Sequence, residues 1–102
     1  DYSSHSMSKR SLERRLTKTG TRLKGLRGEL AVVEEQLLYL GEDADDQAIR
    51  AMVAETASSS FDARSAQGNF ENMSKHRLRM IAEIAELEQK QDELLDEMLG
   101  AS

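Results

Sequence analysis

The chain has 102 residues with no Cys, no Pro and no Trp, and is 38% hydrophobic and 32% charged. This length suits one domain, the lack of Cys removes disulfides and thiolate metal sites, and an aromatic content of 4% allows only a thin core. A net charge of −5 argues against a protein that coats nucleic acid regardless of sequence, and no run approaches the ~18 apolar residues of a membrane span.

The first ten residues, DYSSHSMSKR, lack the apolar core of a secretory signal. Met7 followed by Ser8, Lys9 and Arg10 reads as a natural start, so Asp1 to Ser6 are expected to be a vector remnant and residues 1–7 a flexible start. A cytoplasmic protein is expected. Leu, Glu, Arg, Ala, Lys and Gln dominate, the composition of long helices or coiled coils.

From Leu12 the apolar positions run Leu16, Thr19, Leu23, Leu26, Leu30, Val33, Leu37 and Leu40, in unbroken steps of four and three. This heptad seam predicts a helix over residues 8–40, with Ser8 or Ser11 as N-cap and Gly41 as the residue that ends it. The glycine-rich basic run TKTGTRLKGLRGEL lies inside this helix, because Leu23, Leu26 and Leu30 keep step through it. Leu26 also stands where a phosphate-binding loop needs Lys. With Leu16, Leu23 and Leu30 at heptad position a, Gly20 falls at e, Gly25 at c and Gly28 at f.

The next stretch, GEDADDQAIRAMVAETASSS, predicts a short helix over residues 45–56, capped by Asp43 or Asp45. Ile49, Met52, Val53 and Thr56 share one of its faces. Ser59 with Asp62 has capping-box spacing and starts a third helix over residues 60–99, ended by Gly100. Its seam runs Ala63, Ala66, Phe70, Met73, Arg77, Met80, Ile84, Leu87, Gln91, Leu94 and Met98, with Arg77 and Gln91 as polar interruptions.

Charge sets the orientation. Residues 8–28 carry eight basic residues against Glu13 alone, a net of +7, and residues 82–99 carry seven acidic residues against Lys90 alone, a net of −6. Antiparallel pairing places these segments side by side and brings Glu29, Glu34 and Glu35 near Lys75, Arg77 and Arg79. The expected fold is therefore all-α: an antiparallel coiled-coil helical hairpin, with the short helix 45–56 at the loop end. Leu78, Ile81, Ala85, Leu95 and Leu99 flank one seam, and Ala31, Val32, Leu38 and Tyr39 the other. Exposed apolar residues in such numbers mark an interface. Leu38, Leu78, Ile81, Leu95 and Leu99 are the expected dimer contacts, joining two hairpins into a four-helix bundle.

Little in the sequence carries chemistry. His76 has no second His or Cys in the body of the chain to share a metal, His5 lies in the start segment, and no nucleotide or triad motif occurs. No cofactor, no metal and no enzyme activity is expected. The cluster Glu42, Asp43, Asp45, Asp46, with Arg50, is the candidate partner contact, at the projected tip of the hairpin. Its spacing does not fit an EF-hand loop. A hairpin with acids after its first helix resembles Gre-type transcription factors, which insert an acidic-tipped hairpin into RNA polymerase. This chain departs from them in its extra helix at the tip. Tyr39-Leu40-Gly41 is similar to the turn of the secreted Trp-x-Gly helical hairpins, with Tyr in place of Trp and no C-terminal Tyr-x-x-x-Asp/Glu pattern. In composition the chain from Met7 onward resembles small all-helical actinobacterial proteins.

The expected function is a non-enzymatic protein–protein interaction module: an adaptor, scaffold or regulatory subunit that binds its own copy and another protein. The alternative is a transcription-associated factor. It would bind RNA polymerase through the acids, or DNA weakly through the basic face formed by Arg14, Arg15, Lys18, Arg22, Lys24 and Arg27.

Overall fold

A computed structural model describes residues 8–101, so the expectations for the start segment and His5 lie outside the described residues. The chain is an all-α helical hairpin of two helices, α1 (Lys9–Ala54) and α2 (Ala57–Ala101). Ser8 is the N-cap of α1: the Ser11 N–H donates to the Ser8 hydroxyl at 3.2 Å, and the Leu12 N–H makes the first helical bond to the Ser8 carbonyl at 3.0 Å.

Helix α1 does not stop at Gly41, and no separate short helix exists. Residues 45–54 of the segment expected as a short helix are the last part of α1, and the second long helix runs Ala57–Ala101 rather than over 60–99, passing through Gly100. The reason is visible in the seam. After Leu40 the inward positions continue as Ala44, Gln47 and Ala51, still in steps of four and three, but with small or polar side chains that carry no hydrophobic signal. An isolated Gly in a helix costs only about 1 kcal/mol relative to Ala, too little to end a helix whose seam persists on both sides.

The connection is two residues long. Glu55 has φ 54°, and its N–H donates to the Ala51 carbonyl at 3.0 Å, the single bond of a left-handed helix stop. Thr56 then caps α2. The Ser59 N–H donates to Thr56 Oγ1 at 3.1 Å, and the Thr56 N–H donates back to Ser59 Oγ at 3.3 Å. This is a reciprocal capping box in which Ser59 is the third helical residue and not the cap, so Asp62 has no part in it.

The helices pair in two compact units: residues 8–28 with 82–101, and residues Glu29–Ile81. In the first, Leu12, Leu23, Leu26, Ile84 and Leu94 are buried, three of the leucines to 1% exposure. The Arg22 guanidinium reaches Glu83 at 2.9 Å and that of Arg27 reaches Glu88 at 2.7 Å. These pairs realise the expected meeting of basic and acidic segments. Gln91 packs beside Gly20. In the second unit the buried residues are smaller: Val33, Ala44, Ala66 and Met80. Arg77 there pairs with Glu34 at 3.1 Å. Gly41 receives the Phe70 ring, which would lie 3.3 Å from an added Cβ. A Cβ there would need the ring to give way by a few tenths of an ångström.

Candidate interaction surface

Heptad geometry gives each unit two flanks beside its seam, one at positions b and e and one at c and g. In Glu29–Ile81 the b/e flank has an apolar patch. It carries Ala31 and Leu38 from α1 with Leu78 and Ile81 from α2, all exposed, Leu38 at 71% and Leu78 at 62%. Between them runs an open groove of about 590 Å³, lined by Leu37, Leu38, Phe70, Ser74 and Leu78 and edged by the Glu34–Arg77 pair. The c/g flank is more mixed. It exposes Val32 and Tyr39, at 52% and 69%, and its depression, about 380 Å³, is lined by Asn69, Asn72 and His76 with Leu40 and Met73.

All five residues expected at a dimer contact, Leu38, Leu78, Ile81, Leu95 and Leu99, are solvent-exposed. The structure brings Leu38 and Leu78 to one groove in the second unit, whereas Leu95 and Leu99 belong to the first.

The acidic cluster is not at the tip. Glu42, Asp45 and Asp46, with Arg50, are exposed along α1, Asp43 is half-buried, and the turn lies at Glu55. Nine to thirteen residues separate Glu42–Asp46 from Glu55, roughly 14 to 20 Å along the axis. The expectation of an acidic tip followed from ending the first helix at Gly41, and it falls with that helix end. The turn end instead exposes Ile49, Met52 and Val53 from α1 and Phe61 from α2, at 60–82%. The first three are legible in sequence as one helix face, whereas Phe61 falls at an outward position whose helical neighbours are Ala57, Ser58, Arg64 and Ser65.

The basic face is exposed throughout: Arg14, Arg15, Lys18, Arg22, Lys24 and Arg27. Arg22 and Arg27 are engaged by Glu83 and Glu88, and the Arg14 guanidinium donates to the Ser11 hydroxyl at 3.4 Å. A shallow depression of about 540 Å³ lies along Arg10, Glu13, Arg14, Thr17 and Lys18. Among the described residues no three His, Cys, Asp or Glu side chains gather as a metal-holding group, and no helix is long and apolar enough to cross a membrane.

Compared with known protein families, curated proteins and solved structures, the chain matches none.

Proposed function

We propose that the chain is a non-enzymatic protein–protein interaction module, an adaptor, scaffold or regulatory subunit of the cytoplasm, built on a homodimeric helical hairpin. The observation that carries this reading is the apolar patch on the b/e flank of Glu29–Ile81, where Leu38 and Leu78 stand in water beside an open groove. Large apolar side chains clustered on one side of a helix pair mark a surface that another helix covers. Two hairpins meeting through such flanks form a four-helix bundle. Sedimentation equilibrium at micromolar concentration tests the self-association. A mass twice 11.4 kDa is expected, and 11.4 kDa at every concentration contradicts it.

A second reading, a transcription-associated protein that holds DNA weakly, draws support from Lys18 and Lys24, exposed cations of α1 that have no carboxylate partner. Titration of a short duplex against the chain separates the two readings. Binding that survives at physiological salt, with a steep salt slope, favours DNA. No binding there favours the protein-interaction module.

A further inference from the structure

We infer that the groove of the second unit is filled by the same groove of a second copy, so that Leu38 and Leu78 lie at the centre of a two-fold interface. This rests on the homodimer reading above and deepens it by naming the face.

Three observations converge. The first is the groove. On the b/e flank of Glu29–Ile81, exposed Leu38 and Leu78 stand beside a floor of Leu37, Phe70 and Ser74 in a groove of about 590 Å³, while the c/g flank, which exposes Val32 and Tyr39, has a smaller depression of about 380 Å³ in which Asn69, Asn72 and His76 accompany Leu40 and Met73. The second is charge. A patch that faces its own copy must not repel itself, because the same set of charges stands on both sides of the two-fold axis. The charges edging this groove are Glu34 and Arg77, and they neutralise each other at 3.1 Å. The acidic run Glu42–Asp46 could not face itself in this way. The third is the core. The second unit buries Val33, Met80 and two alanines, where the first buries four leucines and an isoleucine. The second unit therefore has the weaker core and the larger unfilled apolar surface. A ridge beside a groove, both apolar and with no net charge, is self-complementary: each copy supplies the leucines that fill the other.

The chain has no Cys, so one introduced thiol reports only on contact between copies. Four single variants, Leu38→Cys, Leu78→Cys, Tyr39→Cys and Asn72→Cys, are treated with a short bismaleimide at micromolar concentration. Light scattering and circular dichroism are run on the same samples. All four positions are exposed, so the helical fold should be kept in each. Covalent dimer is expected at several-fold higher yield for Leu38→Cys and Leu78→Cys than for Tyr39→Cys and Asn72→Cys, which lie on the other flank. A dimer mass with equal yields on both flanks, or with yields favouring positions 39 and 72, overturns this inference and leaves the homodimer reading standing. A monomer mass for all four and for the parent chain overturns both.

Discussion

The two units differ in where their apolar side chains go. The unit of residues 8–28 and 82–101 buries Leu12, Leu23, Leu26, Ile84 and Leu94 and laces its edges with Arg22–Glu83 and Arg27–Glu88. The unit Glu29–Ile81 buries Val33, Ala44, Ala66 and Met80. Yet it carries nine of the eleven exposed large apolar residues among those described; only Leu95 and Leu99 belong to the other unit. One heptad pattern thus yields two outcomes. Where the seam is leucine and the edges are charged, two helices satisfy each other. Where the seam turns to alanine and glutamine, the helices still pair, but their larger side chains are left on the flanks. The physical reason is that a two-helix pair encloses only a strip of surface, and small residues in that strip leave little apolar area buried.

The comparison can be broken most sharply in the core. Leu23→Ala or Leu94→Ala removes a side chain buried to 1% exposure and should cost about 2–5 kcal/mol by urea or thermal unfolding. Leu38→Ala, measured where the chain is dilute enough to be monomeric, should cost well under that, because the side chain is already in water. A cost at Leu38 equal to that at Leu23 in dilute solution would erase the distinction between the units.

Next come the glycines, which sort by what surrounds them. Gly25 and Gly28 have open space where a Cβ would go, and Gly25→Ala with Gly28→Ala should raise stability by roughly 1 kcal/mol each. Gly41→Ala should not show that gain, since the Phe70 ring must move from 3.3 Å to admit the methyl group. The turn offers a similar test. Glu55 holds φ 54°, a conformation that costs a non-glycine residue ~1–2 kcal/mol, so Glu55→Gly should raise the unfolding free energy by about 1 kcal/mol or less, the looser unfolded glycine chain offsetting part of the relief. An unchanged unfolding free energy would mean that the left-handed conformation costs Glu55 no more than glycine's added freedom in the unfolded chain.

The smallest effect belongs to the edge pairs. Arg27 and Glu88 are each half-exposed, and a double-mutant cycle to Ala should give a coupling of about 0.2–1 kcal/mol that fades as salt is added. The paired charges set which segments lie side by side; the leucines between them supply most of the stability.

Much of the fold was legible from the sequence because a heptad seam is a long, redundant signal. Every seam position from Leu12 to Leu40 and from Ala63 to Met98 is buried or half-buried. The charge segregation correctly oriented the pairing, as Arg22–Glu83 and Glu34–Arg77 show. The turn was misplaced for a local reason. Gly41 and the acids after it imitate a helix stop, whereas the true stop, Glu55, is a residue type that seldom takes a left-handed conformation. Its partner signal, Thr56 with Ser59, was hidden in a run of serines that offered several caps. The exposed flank residues were legible because b and e positions follow from the seam. The groove between Leu38 and Leu78 was not, since it depends on Phe70 folding across Gly41.

The central claim is that Glu29–Ile81 is the half completed by a second copy. Hydrogen exchange read by mass spectrometry at two chain concentrations, one below and one above self-association, tests it most directly. The account predicts that amides of Glu29–Ile81 gain protection as concentration rises while those of residues 8–28 do not. Protection that is independent of concentration, or that rises only in residues 8–28 and 82–101, would contradict it.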